Sequence, residues 1–444
     1  MAIVSRAQPG EPLTTASRAK PKKLECAVPP FAKKLEFAIH MYSLQAVLSV
    51  PLWVRSWREY FYPPEGGPDI VKAYECRPHL PIRIFFPADY DQTTHQALPT
   101  VLTIHGGGFC IGVNRDDDEY NRALADSQHV LVVSMNYSKS PAVTFPTALH
   151  DLEALYHALL ADESLPMARA GNGTPAGTPT ATTTAIPARP STVTGGRSKI
   201  AVLGFSAGGN LALTLPQLPS IRASPDAPSA AISVYGCLDL SRDPAAKLRN
   251  RFYKPALPLP QGSRIDSLAS LAPVFDWSYI PYNQDLTDPL LSPAYASLES
   301  LPSHVFIVAA ELDMLAHESW RLACRLGNEA RRLQGKSLEG DREVPDPDSK
   351  VDRVKCVGKR ASSKRKGTLE EPFGEDERYG WTESWTTGGG GSVNWLLVPD
   401  AIHGFDNFNI RQVMGGEESM LDAEMKTKAY VARVGDWLHN VVWK

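Results

Sequence analysis

Short runs of apolar, β-branched residues recur along the chain, and each leads into a polar or glycine-rich turn. Such runs are typical of buried parallel strands. Between them, apolar residues recur at the three- to four-residue spacing of a helix face. This alternation predicts an α/β fold with a mostly parallel central sheet flanked by helices. The predicted strands are residues 81–87, 100–104, 130–135, 199–203, 230–235, 304–309 and 393–398, and the predicted helices are 147–160, 315–333 and 421–443.

Two stretches interrupt the alternation and are predicted to be flexible surface inserts. Residues 168–197 are rich in Thr, Pro, Ala and Gly, a composition that buries too little apolar surface to offset chain entropy. Residues 335–391 are charged and glycine-rich. They hold a basic cluster, which is either a solvated part of the insert, the interpretation we favour, or a nuclear signal or anionic-surface patch. The cluster consists of Lys359, Arg360, Lys364, Arg365 and Lys366.

The N-terminal region differs in character from the rest of the chain. Residues 1–34 are polar, with Pro and Lys throughout, and we expect a disordered arm. Residues 37–57 are apolar but are interrupted by a histidine, a glutamine, a proline and an arginine. A membrane span needs about 20 apolar residues, so we favour a cap helix within residues 35–75. A helix lying at a membrane interface is the main alternative.

Composition and charge narrow the range of partners. Of the 444 residues 43% are apolar, and 46 Lys and Arg face 49 Asp and Glu, so nothing points to a nucleic-acid partner. The six cysteines are scattered, with no Cys-x-x-Cys or Cys/His cluster, which argues against a zinc site. Scattered cysteines suit a reducing compartment, and no ordinary secretory signal is visible. We expect a cytoplasmic protein without metal or cofactor, and peripheral membrane association is the alternative.

Two glycine-rich motifs each follow a predicted strand directly. Residues 204–208 read Gly-Phe-Ser-Ala-Gly, the G-x-S-x-G form that places a serine on a sharp strand-to-helix turn with its hydroxyl exposed. Residues 105–108 read His-Gly-Gly-Gly, a form that offers backbone N–H groups to an oxyanion. A nucleophile beside an anion receptor indicates acyl-transfer chemistry.

A serine hydroxyl is a weak nucleophile, so it needs a base and a third group that holds the base. We expect Ser206 to be the nucleophile and His403, which follows a later predicted strand, to be the base. Asp313 follows the strand between them and is the expected acid, with Glu311 as its rival. All of these residues fall at the carboxyl ends of predicted strands, where a parallel sheet gathers its active site.

The expected oxyanion donors are the backbone N–H groups of Gly107, Gly108 and Ala207. Glycine tolerates the strained backbone that a receptor loop requires. Ala207 begins the helix that follows Ser206, and the helix N-terminus adds a favourable potential. We expect glycine at positions 204 and 208 because its small size lets the strand and the helix pass closely at the turn.

Five blocks occur in an order that resembles the hormone-sensitive-lipase-like branch of the α/β hydrolases, which includes arylacetamide-deacetylase-type enzymes and many microbial esterases. The resemblance covers roughly residues 75–440. Its blocks are HGGGF at 105–109, NYSKSPAVTFPTALHD at 136–151, GFSAGGNLAL at 204–213, AELDML at 310–315 and HGF at 403–405.

The resemblance implies an α/β-hydrolase fold in which residues 76–444 form the catalytic domain. It also implies a helical cap made from residues 35–75 and 240–285. The first Asp of the family's D-x-L-x-D-E run falls on Asp313, which supports it over Glu311. His317 stands where the second Asp is usual.

Aromatic residues supply the candidate substrate pocket. The cap set suits an acyl or alkyl pocket, although packing of the cap against the core explains it equally well. It comprises Phe252, Tyr253, Phe275, Trp277 and Tyr279. Close to the motifs, the candidate pocket residues are Phe109, Tyr137, Phe205 and Phe405. Phe205 replaces the acidic residue that usually precedes the nucleophile in this family.

The leading hypothesis is a carboxylic-ester hydrolase that forms an acyl-enzyme and needs no cofactor. The aromatic cap set favours a hydrophobic ester substrate, and the family resemblance implies a short or medium acyl chain. One alternative is an amide or formamide hydrolase with the same residues. Others are a non-catalytic ligand receptor and a membrane-associated interaction protein of the same fold.

Overall fold

The computed structural model describes residues 24–94, 96–170, 198–249, 268–336, 380–413 and 417–444. Strands in these ranges form one sheet. They are β1 (Ile70–Lys72), β2 (Ile82–Phe85), β3 (Thr100–Ile104), β4 (Leu131–Met135), β5 (Ile200–Phe205), β6 (Ala230–Val234), β7 (His304–Ala310), β8 (Gly380–Trp385) and β9 (Gly391–Val398). Their order across the sheet is β1-β2-β4-β3-β5-β6-β7-β9-β8.

The strands from β4 across to β9 pair in parallel. Strands β1, β2 and β8 pair antiparallel at the two edges. All seven strands expected from the sequence are present, with their ends close to the expected positions, so the prediction of a mostly parallel sheet is confirmed. The parallel strands direct the loops after β3, β5, β7 and β9 to the same edge of the sheet, where open α/β sheets bind ligands.

Helices cover both faces of the sheet. Apolar side chains of α3 (Thr147–Ala161), α4 (Ala207–Thr214) and α8 (Ala316–Leu333) pack on one face of the sheet. Those of α2 (Asp118–Gln128) and α10 (Glu417–Trp437) pack on the other face. The expected helices at 147–160 and 315–333 are confirmed, whereas 421–443 is a helix followed by a π-helical turn at Leu438–Val442. The helices are α1 (Phe31–Phe61), α2 (Asp118–Gln128), α3 (Thr147–Ala161), α4 (Ala207–Thr214), α5 (Pro219–Arg222), α6 (Pro244–Arg249), α7 (Leu268–Tyr279), α8 (Ala316–Leu333), α9 (Phe408–Val413) and α10 (Glu417–Trp437).

The insert expected at residues 335–391 was predicted to end too late in the chain, because β8 lies within this range and pairs with β9. Trp381 and Trp385 of this strand are buried. Trp381 lies against α8, where a Cβ added at Gly327 would be 2.8 Å from its ring. Two buried tryptophans supply the apolar area that holds this edge strand, and the charged composition of the whole stretch concealed them. Residues 337–379, with the basic cluster, lie outside the described residues.

The first insert also begins later than expected. Residues 168–170 are still part of the folded body, since the N–H of Ala168 donates to the carbonyl of Leu98 at 2.9 Å and its carbonyl accepts from Lys199 at 2.9 Å. Residues 171–197 lie outside the described residues. Backbone hydrogen bonds of this kind do not depend on the residue types involved. The composition therefore predicted the start of the insert too early.

The arm expected at 1–34 is likewise ordered from residue 24 onward. The N–H of Cys26 donates to Gln284 at 2.9 Å, and the N–H of Leu286 donates to Leu24 at 2.8 Å. Helix α1 then begins at Phe31. This strand-like pairing joins segments that are far apart in sequence, so the local polarity of residues 24–34 gave no sign of it. Residues 1–23 lie outside the described part of the chain.

Helix α1 rests on the body of the protein along one side. Met41 is fully buried, and Phe37 lies 5.9 Å from Trp277 of α7 between ring centroids. The Gln45 amide donates to the carbonyls of Cys110 and Ser140, each at 2.8 Å. Among the described helices, α1 is the one that is long and apolar enough to cross a bilayer by length and composition.

Candidate active site

The turn between β5 and α4 carries Ser206 in a strained conformation. Its φ of 53° and ψ of −115° are unusual for a residue with a side chain. The turn is possible because Gly204 and Gly208, two residues before and two residues after Ser206, have no Cβ. A Cβ at Gly204 would lie 1.9 Å from the carbonyl oxygen of Gly208, and one at Gly208 would lie 2.0 Å from that of Ile104. Strand and helix therefore pass closely, which explains both glycines.

The three side chains expected to act together do lie together. His403 Nε2 is 2.9 Å from Ser206 Oγ, and His403 Nδ1 is 2.7 Å from Asp313 Oδ2. The side chain of Asp313 is fully buried and that of His403 is 13% exposed. Asp313 Oδ1 also accepts the N–H of Leu315 at 2.9 Å. The carboxylate is thus fixed on one side by backbone and faces the imidazole on the other.

Glu311, the rival acid, contacts a different group. Its Oε2 accepts the N–H of Asp400 at 2.8 Å, and both residues are buried. Asp400 has a φ of 55°, so the Glu311 carboxylate holds the turn that leads from β9 to His403. The structure therefore brings Asp313, and not Glu311, to the imidazole.

The glycine-rich loop after β3 lies directly beside the turn that carries the serine. A Cβ added at Gly106 would be 3.2 Å from the Cβ of Ser206. Gly107 and Gly108 have φ values of 111° and 57°, which favour glycine. Ala207 begins α4, so no carbonyl one turn earlier accepts its N–H. The glycine-rich loop and the first residue of α4 therefore lie beside Ser206.

A buried polar cluster supports this loop from behind. His105 stacks on Tyr137 with ring centroids 4.4 Å apart, and the Tyr137 hydroxyl donates to the carbonyl of His105 at 3.2 Å. Lys139 Nζ lies 3.1 Å from His105 Nε2 and 2.9 Å from Asn136 Oδ1. Burial lowers the pKa of Lys139 to about 7, and burial also lowers the pKa of His105 well below its usual value. A neutral His105 can accept a hydrogen bond from the Lys139 side chain at Nε2.

A narrow pocket opens beside Ser206. Phe109 lines it and stacks on Tyr279, with ring centroids 3.7 Å apart. Phe275 closes over the glycine loop, where a Cβ at Gly108 would be 2.3 Å from its ring. Two of the aromatic residues expected in the cap set, Phe252 and Tyr253, lie outside the described residues.

Four aromatic residues close to the motifs in sequence were expected to line this pocket. Three of them do not line it. Tyr137 lies behind the glycine-rich loop and supports it. Phe205 points to the opposite face of the sheet, 4.7 Å from Tyr120 between ring centroids, because side chains alternate along β5. Phe405 is fully buried near Tyr430, 5.8 Å away. Proximity to a motif in sequence does not tell which face a side chain takes.

The sequence also gave no sign of a buried network beneath the imidazole. The ring of Tyr235 lies 4.8 Å from that of His403. The hydroxyls of Tyr235 and Tyr430 both donate to the buried carboxylate of Asp406. Burial raises the pKa of Asp406. These residues come from three distant segments, so no local sequence motif joins them. Their hydrogen bonds hold the Tyr235 ring in place beside the imidazole of His403.

Comparison with known proteins agrees with this architecture. A family model described as the alpha/beta hydrolase fold matches residues 101–341, more than half of the chain. A hyperthermophilic esterase from Pyrobaculum calidifontis superimposes with a TM-score of 0.51 at 19% identity and covers 84% of this chain and 83% of its own. A fungal esterase from Rhizomucor miehei gives a TM-score of 0.51 at 18% identity, with 85% of each chain covered. The chain belongs to the α/β-hydrolase fold family.

The curated relatives include proteins named as an esterase and as a deacetylase. An arylesterase of Saccharolobus solfataricus is 28% identical over 253 residues, which are 56% of this chain and 66% of the relative. An arylacetamide deacetylase of Oryctolagus cuniculus is 30% identical over 92 residues, which are 20% of this chain and 22% of the relative. The matches therefore span less than two thirds of these relatives.

Proposed function

We propose that this protein is a carboxylic-ester hydrolase that works through an acyl-enzyme on Ser206. One observation carries the proposal: the hydrogen-bonded chain from Ser206 Oγ through His403 to Asp313 lies beside N–H groups of a glycine-rich loop. A nucleophile, a base, an orienting acid and an anion receptor are together the requirements of acyl transfer.

In the first half-reaction, Ser206 Oγ attacks the ester carbonyl while His403 Nε2 takes the serine proton. Asp313 keeps the imidazole in the tautomer that presents Nε2 and stabilises the imidazolium. The N–H groups of Gly107, Gly108 and Ala207 hold the oxyanion of the tetrahedral intermediate. The intermediate then collapses, the C–O bond of the ester breaks, and His403 gives its proton to the leaving alcohol.

In the second half-reaction, a water molecule attacks the acyl-enzyme and His403 takes its proton. Collapse of the second tetrahedral intermediate breaks the bond to Ser206 Oγ, which regains a proton from His403. The products are an acid and an alcohol, and the enzyme returns to its starting state. Besides the substrate and one water molecule, these steps use only side chains and backbone of this chain.

The small pocket beside Ser206 favours short acyl groups. We expect kcat/KM to be highest for p-nitrophenyl acetate or butyrate and at least about tenfold lower for the laurate, since each methylene that does not fit costs binding energy in the transition state. Spectrophotometric release of p-nitrophenol measures this. A steady rise from acetate to laurate would overturn the chain-length part of the proposal. If butyryl p-nitroanilide were cleaved faster than p-nitrophenyl butyrate, the amidase alternative would replace the esterase.

We further propose that α1 places the protein on a membrane surface. Its outward side exposes a row of large apolar residues, a patch of the kind that marks an interaction site. The opposite side is held to the body by Gln45 and by Glu59, which lies 2.5 Å from Arg83 and 2.6 Å from Arg115. A helix held in this way favours lying flat at the interface over spanning the bilayer. The exposed row includes Ile39, Val47, Val50, Trp53, Val54, Trp57 and Phe61.

Flotation with phosphatidylcholine vesicles tests the membrane proposal. The double variant Trp53→Ser/Trp57→Ser is expected to bind at least about tenfold more weakly, because it removes two large apolar side chains from the interface. Leu333→Ser, which changes an exposed leucine on α8, is the matched control and should float like the wild type. Equal flotation of all three proteins, or none by the wild type, would contradict membrane binding through α1.

A further inference from the structure

We propose that the pocket beside Ser206 binds a short substrate group ending in an uncharged hydrogen-bonding function, such as a hydroxyl, that Lys247 and Asp276 contact. The inference rests on the proposed esterase function and specifies its substrate class. It predicts that a purely aliphatic acyl group is a poorer substrate than one of similar size with a polar end.

The pocket has apolar walls, one basic side chain, one acidic side chain and the thiol of Cys237. Gly108, Ser206 and Ala207 line the part of the pocket at the serine. Lys247 of α6 and Asp276 of α7 line it as well. The remaining lining is largely apolar and includes Phe109, Leu268, Phe275 and Met314. Ionisable groups in a small pocket of this kind are costly unless they find partners.

Lys247 is held firmly in its position. Its Nζ lies 2.8 Å from Glu318 Oε2, and both side chains are more than nine-tenths buried. Glu318 is itself fixed, because its Oε1 accepts the N–H groups of Leu238 at 2.7 Å and Asp239 at 3.2 Å. Burial alone acts to lower the pKa of Lys247, but Glu318 and other nearby groups outweigh it and raise the pKa above its usual value. Lys247 therefore stays charged, and an ammonium carries three N–H donors.

Asp276 supplies the complementary acceptor. It follows Phe275, the residue that closes over Gly108, so its carboxyl lies in the same part of the cap. Burial raises the pKa of Asp276 to about 7, even though Lys247 acts to lower it. At neutral pH this carboxyl exists in both forms, so it can accept a hydrogen bond or donate one.

The charges around the pocket select against ionic substrate groups. Lys247 and Glu318 neutralise each other, and an added carboxylate would face the carboxyl group of Asp276. An alkyl group would displace water from Lys247 and Asp276 without replacing its hydrogen bonds, which weakens binding of such a substrate. A hydroxyl or carbonyl accepts from the ammonium, and a hydroxyl also donates to the carboxylate. The neutral polar group is the one that satisfies both side chains.

A purely structural role for the Lys247–Glu318 pair predicts something different. The pair joins α6 to the loop after β6 and to α8. If that were its whole role, removal of the charge would lower the stability of the fold and leave the preference between substrates unchanged. Substrate preference is therefore the decisive measurement, and stability is recorded beside it.

The experiment compares kcat/KM of the full chain for p-nitrophenyl butyrate, 3-hydroxybutyrate and hemisuccinate. We expect the 3-hydroxybutyrate to be preferred over the butyrate by at least about tenfold, the effect of one hydrogen bond to a charged group, and the hemisuccinate to be the poorest. Lys247→Met should reduce the hydroxybutyrate preference at least about fivefold. Asp276→Asn keeps the shape of the side chain and breaks no ion pair within the described part of the chain, so it tests the same point should Lys247→Met fail to fold.

Arg325→Met is the matched control, because Arg325 forms its ion pair with Glu329 on α8 at 2.6 Å and does not line the pocket. It should leave the substrate ratio within about twofold of the wild type. If the wild type hydrolyses butyrate without preferring hydroxybutyrate, or prefers the hemisuccinate, the pocket proposal is overturned while the esterase proposal stands. If the folded wild type hydrolyses none of the three esters, the esterase proposal fails and this one fails with it.

Discussion

Replacement of Ser206 by alanine is expected to lower kcat for p-nitrophenyl butyrate at least about a thousandfold, with KM changed less than about threefold. The variant removes the attacking oxygen but leaves the N–H donors and the pocket in place. Substrate should therefore still bind, while the acyl-enzyme cannot form. Steady-state kinetics measures both constants, and a fluorophosphonate probe should label the wild type on Ser206 and leave the variant unlabelled.

Ser241→Ala is the matched control for this variant. Ser241 follows β6, and its hydroxyl contacts Asp239 and Tyr295 at a distance from the catalytic chain. It should keep kcat within about threefold of the wild type. Retention of more than a tenth of the activity by Ser206→Ala would mean that another group is the nucleophile. A folded wild type that is as inert as the variant would instead favour the non-catalytic receptor.

The arrangement around Ser206 could be predicted because its causes are local. The tight turn requires glycine at 204 and 208, and the donor loop requires glycine at 107 and 108. Each motif also follows a buried strand directly. His403 and Asp313 are 90 residues apart, yet they too could be placed, because both follow parallel strands whose carboxyl ends meet at one edge.

The pocket could not be predicted in the same way, because long-range packing decides it. Phe205 and Phe405 lie close to Ser206 and His403 in sequence but turn into the core, and Tyr137 supports the glycine-rich loop instead. Lys247 and Asp276 reach the pocket from α6 and α7, two helices whose contact no sequence pattern specifies. Strand β8 was missed for the same reason, since two buried tryptophans in a charged stretch hold it to its neighbour.

Replacement of Asp313 by asparagine is expected to lower kcat by about a thousandfold to ten-thousandfold. The amide is nearly isosteric, but it lacks the charge that stabilises the imidazolium, and its NH2 can favour the tautomer in which Nε2 carries the proton. Glu311→Gln is the matched control, because its side-chain oxygen can still accept the N–H of Asp400, and kcat should fall less than about tenfold.

Kinetics at a fixed pH above neutrality and thermal unfolding should be measured for both variants. The contrast between them assigns the acid, because both carboxylates are buried and both follow β7 within three residues. The Asp313 carboxylate contacts His403 at 2.7 Å, whereas that of Glu311 holds the turn before it. A larger loss of kcat in Glu311→Gln than in Asp313→Asn, at equal stability, would reverse the assignment. The reverse order would establish that the buried Asp313 charge acts on the imidazole and that Glu311 acts on the backbone that presents it.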